Sequence, residues 1–184
     1  MKHLVFLLEE PSAQDALHAW LPAWLPEEVT PHFMVFQGKQ DLEKRMTLRM
    51  RHWLRPESRF VVLRDQDSGD CKVVKAELRK RCVEAGRPDA VVRVACRELE
   101  AFFVGDWQAV ALAYGKPALA RLAVKSTYRQ PDDLGSPSAE LAKHLPGYQK
   151  RDGARRIAPF VEPSRNTSRS FHALRSAVLA LGAA

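Results

Sequence analysis

Phe60-Val61-Val62-Leu63-Arg64-Asp65-Gln66-Asp67 is a short apolar run that stops abruptly in acids. Leu4-Val5-Phe6-Leu7-Leu8-Glu9-Glu10 has the same form nearer the amino terminus. Runs of this length, apolar at every position, suit strands buried on both faces, as in a parallel sheet. Two further runs complete the set, at His32–Phe36 and Ala90–Ala95. Helical patterns fall between them. The first starts near Ser12, expected to act as its cap, and carries Ala16, Leu17, Trp20 and Leu21 on one face. Pro22 and Pro26 predict that it stops early or kinks. The second spans Asp41–Leu54, the third Cys71–Ala85 before Gly86, and the fourth Arg97–Tyr114 before Gly115.

This alternation predicts a three-layer α/β fold, Rossmann-like. Its sheet has four strands, mainly parallel, in the order 2-1-3-4. Residues 1–115 form the α/β domain. Residues 116–184 are richer in Pro, Gly, Ser and Arg and end in a helix over about Ser168–Leu181. They are expected to wrap the sheet domain as a helical extension, giving one compact unit.

Apolar residues make up 46% of the 184, enough for a sizeable core. No apolar run approaches the roughly 20 residues of a membrane span. Met1–Leu8 runs directly into Glu9-Glu10 without a cleavage pattern, so it reads as a strand and not as a signal peptide. A soluble, cytoplasmic protein is expected. Cys71, Cys82 and Cys96 are far apart in sequence and suggest neither a disulfide framework nor a zinc site; Cys96 reads as a small core residue. The six histidines show no ligand spacing, and Trp20, Trp24, Trp53 and Trp107 read as core. No phosphate-cradling Gly-Lys loop or dinucleotide fingerprint occurs.

Charge is distributed unevenly. Residues 1–112 hold 17 basic and 17 acidic side chains, whereas residues 113–184 hold 12 basic and 5 acidic ones, so the whole excess of +7 lies in the last part. That asymmetry points to a polyanion such as nucleic acid, or alternatively to a solvated basic surface.

In open parallel sheets ligands bind beyond the carboxyl ends of the strands, near the switch in strand order. In the order 2-1-3-4 the first and third strands are neighbours, so Glu9 meets Asp65 and Asp67 in one crevice. Clustered carboxylates resist ionisation unless a cation compensates, and hard oxygen donors suit Mg²⁺ or Mn²⁺. The bland alternative is a polar turn capping the next helix. Of Glu98 and Glu100, the latter is favoured as a further acid, against the alternative of a first-turn acid favoured by the helix dipole. Lys39, beside Gly38, is a candidate phosphate ligand, as are Lys125, Arg129, Lys150, Arg155 and Arg156.

A strand ending in Glu followed by a later strand ending in Asp-x-Asp resembles Toprim domains. More closely, the chain resembles a bacterial family of unknown function, numbered 4276, with a Toprim-like fold. The residues concerned are Phe6–Ser12, Phe36–Lys39, Val62–Asp67, Arg97–Phe102, Pro146–Lys150 and Ser168–Phe171. The resemblance implies Mg²⁺-dependent phosphodiester chemistry, with Glu9, Asp65 and Asp67 as metal ligands and Glu100 as an assisting acid. It also implies an ATPase partner in anti-phage defence. Glu10 stands where the Toprim pattern has Gly. Three readings follow: a metal-dependent nuclease; a non-catalytic module that docks on an ATPase or nucleic acid; and a phosphoacceptor receiver, which would require a fifth strand followed by Lys that the sequence lacks.

Overall fold

The computed structural model describes residues 2–183. Four strands, β1 (Lys2–Leu8), β2 (Val29–Val35), β3 (Ser58–Asp65) and β4 (Val91–Ala95), form one sheet. Its order is β2-β1-β3-β4 and every pairing is parallel. The helices between them are α1 (Pro11–Trp24), α2 (Lys39–Arg51) and α3 (Cys71–Glu84). After β4 come α4 (Ala101–Val104) and α5 (Trp107–Tyr114), then 3-10 turns, then α6 (Pro137–His144), α7 (Lys150–Ile157) and α8 (Arg169–Ala183).

Alternation along the strands sorts the core into two layers. Val5, Leu7, Phe60, Val62, Val92 and Val94 face α2 and α3, through Leu42, Met46, Met50, Val74 and Leu78. Leu4, Phe6, Leu8, Val61, Leu63 and Ala95 face the other way, towards α1 and the helices that follow β4. Both faces are therefore covered, which is why the strands are apolar at nearly every position. Among the described residues, no helix is long and apolar enough to cross a membrane.

Several local expectations give way to tertiary packing. Helix α1 starts at Pro11, so Ser12 lies inside it with its hydroxyl buried and unpartnered, and does not cap it. Pro22 neither stops nor shortens the helix, which continues to Trp24. Packing holds this last turn: Trp24 stacks on Trp20 with ring centroids 5.3 Å apart and meets Phe171 at 5.7 Å. Strand β2 begins earlier than its apolar run and contains Pro31. An edge strand tolerates that missing donor, and β2 pairs with β1 alone.

The single helix expected over Arg97–Tyr114 is two. Gly105 and Asp106 break it. A Cβ on Gly105 would lie 2.3 Å from the Asn166 side-chain oxygen, so only glycine admits residues 166–168 at this point. Asp106 then caps α5 through the Ala109 amide and is held by Arg165 at 3.0 Å. Periodicity cannot register a break imposed by a segment 60 residues away. The cysteines also differ from expectation. Cys82 is buried, but Cys71 and Cys96 are half-exposed and their sulfurs lie 3.9 Å apart. Of the tryptophans, Trp20, Trp24 and Trp107 are buried, while Trp53 lies beyond α2 and is only partly covered.

The basic last third shares the α1-side core. Phe171 packs edge-on against Trp20 at 5.2 Å and Phe102 at 5.7 Å, and Trp20 donates its indole N–H to the Ala158 carbonyl at 3.0 Å. Truncating Phe171 to Ala should destabilise the whole protein by about 3–5 kcal/mol. Chemical denaturation monitored by tryptophan fluorescence would show this as one shifted transition. A separate early transition with the main one unmoved would mean that α8 is not part of the core.

Candidate metal and phosphate site

The carboxyl ends of β1 and β3 bring their acids together. Glu9 follows β1, and its Oε2 accepts the Asp65 amide at 3.0 Å, which ties the first crossover to the end of β3. Asp65 Oδ1 accepts the Leu99 amide at 2.9 Å, fixing the loop after β4. That loop delivers Glu100, whose side chain is wholly buried. Glu98 turns away and binds the Ser138 amide and hydroxyl at the start of α6.

A cation from the far end of the chain completes the cluster. Lys150 Nζ lies 3.0 Å from Glu10, 3.6 Å from Glu100 and 3.8 Å from Asp65. Lys150 is the first residue of α7, whose placement depends on Gly153. A Cβ there would lie 2.2 Å from the Tyr148 ring, so the glycine lets that ring lie against the helix. Tyr148 in turn donates its hydroxyl to Glu100 Oε1 at 3.3 Å. Arg151 and Arg155, on the same helix, clamp Asp15 of α1.

Burial dominates the electrostatics. It holds the Asp65 carboxyl well above the usual range, with Lys150 pulling down and Glu100, Glu10 and Glu9 pushing up. Glu100 is raised for the same reason, against the pull of Lys150. Glu9 is raised by burial too, opposed by the Asp65 amide and reinforced by Asp67. Burial pulls the Lys150 ammonium down, but its three acids outweigh this and raise it overall.

Asp67 faces a different set of partners from Asp65. It sits at a positive φ of 56°, 3.0 Å from Lys39 Nζ and 3.9 Å from Arg64. Arg64, nearly buried, also reaches Glu43 at 2.8 Å and Glu9 at 3.7 Å, so it runs between the inner acids and the outer one. Lys39, read as a phosphate ligand, is thus engaged by an acid in this structure. Among the described residues, no three carboxylate, imidazole or thiol groups already surround a common point as ion ligands. The donors gathered here are carboxylate oxygens, the hard type that divalent ions accept, and Glu100 Oε2 is buried without any hydrogen-bond donor.

The remaining basic candidates divide clearly. Of the 12 basic residues after position 112, seven are ion-paired, Lys150, Arg155 and Arg156 among them. Lys116, Arg121, Lys125 and Arg129 are exposed and have no ion pair among the described residues. They lie within an acid-free stretch beside α5, and no contact joins Lys125 or Arg129 to the acid cluster. Sequence reasoning did not find Glu10 as the closest partner of Lys150, nor Tyr148 and Arg64 as members of the site. Pairs 140 residues apart, such as Glu10 and Lys150, leave no local pattern.

Fold and site together define an all-parallel α/β protein with a buried acidic centre at the carboxyl edge of its sheet. The chain belongs to the family described as Domain of unknown function (DUF4276), whose model matches residues 8–179 and so takes in every residue of that centre. No curated protein and no solved structure matches it.

Removing the Lys150 charge, as in Lys150→Met, leaves the inner acids without their cation and should raise their pKa values further. An acid whose folded pKa is raised binds more protons folded than unfolded. Its contribution is present below its ordinary value, 3.8 for Asp65 and 4.5 for Glu100, and is lost as pH rises towards the folded value. The variant should therefore melt close to wild type at pH 5 and clearly below it at pH 8, by scanning calorimetry without added metal. An equal deficit at both pH values would remove Lys150 as the counter-charge.

Proposed function

We propose that this chain is a Mg²⁺- or Mn²⁺-dependent Toprim-like nuclease, or a related phosphoryl-transfer protein, acting on nucleic acid in the cytoplasm. One observation carries the reading. Glu9, Asp65 and Glu100, at or just beyond the carboxyl ends of three different strands, are buried together at the switch point of the sheet. Such charge density is maintained where a cation or a phosphate-bound ion is to be received. Glu9, Asp65 and Asp67 would hold the metal, with Glu100 and Glu10 assisting. A bound ion would polarise the phosphodiester and lower the pKa of the attacking water. The protein's own groups do the rest. Glu100 Oε2, which accepts no hydrogen bond, can take a proton. The Lys150 and Lys39 ammonium groups, displaced from their acids, can meet phosphate oxygens. The exposed strip Lys116, Arg121, Lys125 and Arg129 would hold the backbone further along. An ATPase partner in anti-phage defence fits the same reading.

A second reading is favoured by the position of Lys150. Its ammonium already offsets part of the acid charge, so the centre carries an internal cation where a metal would otherwise stand. In this form the protein is a binding module that docks on an ATPase or on nucleic acid through the 116–129 strip.

Calorimetric titration with Mn²⁺ and Mg²⁺ separates the two. Wild type should bind, and Asp65→Asn combined with Glu9→Gln should abolish both binding and metal-dependent cleavage of DNA or RNA, with circular dichroism unchanged. Nucleic-acid binding without metal uptake or turnover would select the second reading. Under both, Lys125→Ala with Arg129→Ala should weaken DNA affinity and flatten its log–log salt dependence by about 2, since each lost phosphate contact removes about 0.9 from the slope. An unchanged slope would place the polyanion elsewhere.

A further inference from the structure

We propose that Cys71 and Cys96 are a redox modification site, two thiols that close reversibly into an intramolecular disulfide linking α3 to the end of β4. The sulfurs are already in contact at 3.9 Å, although 25 residues separate them in sequence. Both line an open cleft of about 720 Å³ between α3, the edge of β4 and α8, which admits a small oxidant. The third thiol, Cys82, is buried at 1% exposure, and burial pushes it up to about 11, so it serves as an unreactive internal reference.

Burial, the neighbouring Cys71 and Asp132 push the Cys96 thiol up. Cys71, the first residue of α3, is assigned as the sulfur that meets the oxidant. With hydrogen peroxide as oxidant, the Cys71 sulfur attacks one oxygen, the O–O bond breaks, and water leaves after proton transfer, giving a sulfenic acid. The Cys96 sulfur then attacks the Cys71 sulfur. The S–O bond breaks and hydroxide takes up the Cys96 proton and leaves as a second water. Two thiols are oxidised and one peroxide is reduced. Bonding requires the sulfurs to close from 3.9 Å to roughly 2.05 Å. A bridge of this kind in a reducing compartment is transient and sensory.

Its location gives it a consequence. The loop from Gln66 to Asp70 joins β3 to Cys71, and it is zipped to the loop after β4 by Gln66 N–H to Ala95 O at 2.9 Å and Asp67 N–H to Arg97 O at 3.0 Å. The same two loops carry Asp67 and Glu100, and the first of them leaves β3 at Asp65. A Cys71–Cys96 bridge would fasten the base of both and restrain the Asp67 side of the acid centre.

Intact-mass analysis with maleimide labelling of the native full chain tests this. Reduced protein should take two labels. After hydrogen peroxide it should lose about 2 Da, take none, form no covalent dimer and recover both labels with dithiothreitol. Amide exchange across residues 66–70 should slow in the oxidised form. Cys71→Ser and Cys96→Ser should each abolish the mass loss. Gains of about 16 or 32 Da with Cys96 still labelled, a covalent dimer, or an unreactive pair would each overturn the site. Unchanged exchange in a bridged protein would overturn its coupling to the acidic centre.

Discussion

Burying acids without a compensating charge is prohibitive in a protein interior, and the ammonium of Lys150 is what allows Asp65 and Glu100 to share one place with Glu10. Much of the architecture serves that contact. Gly153 accepts the Tyr148 ring so that α7 can begin with Lys150 at the sheet edge. Arg151 and Arg155 fasten the same helix to α1 through Asp15. Trp20, Trp24 and Phe171 close the apolar layer beneath. The last third of the chain is therefore not a passive wrap. It supplies the positive charge that the acids at the strand ends require.

A two-tier arrangement follows. The inner tier, Glu9, Asp65 and Glu100, is buried; Glu9 and Asp65 accept backbone amides, and Glu100 accepts the Tyr148 hydroxyl. The outer tier, Asp67 with Lys39, is partly open to solvent. Arg64 runs between the two. The centre's internal cations are borne on flexible side chains, while Glu9 and Asp65 are held by main-chain amides. The same loops end at Cys71 and Cys96, so chemistry at the sulfurs and charge at the acids act on one pair of segments.

The pattern of apolar runs made the sheet legible. Strands buried on both faces carry no polar alternation, and acids at the ends of β1 and β3 mark the carboxyl edge whatever the details of packing. Order 2-1-3-4 placed Glu9 beside Asp65, and the structure brings them to within one hydrogen bond. Charge bookkeeping along the chain located the basic excess correctly, but not its use. Among the described residues, seven of the twelve cations there answer acids, including the lysine at the centre; of the five others, four gather in residues 116–129 and Arg175 lies in α8.

What the sequence determined by itself is thus periodic or local: the α/β alternation, the strand ends, and the residue types that collect there. Tertiary structure alone decided the rest. It divided the helix after β4 at Gly105, because Asn166 occupies the space a side chain would need. It turned Glu98 outward and Glu100 inward, joined Cys71 to Cys96, and set Lys150 among acids up to 140 residues distant. Each of these depends on a distance between segments remote in the chain. Spacing and composition carry no information about such distances until the core has closed.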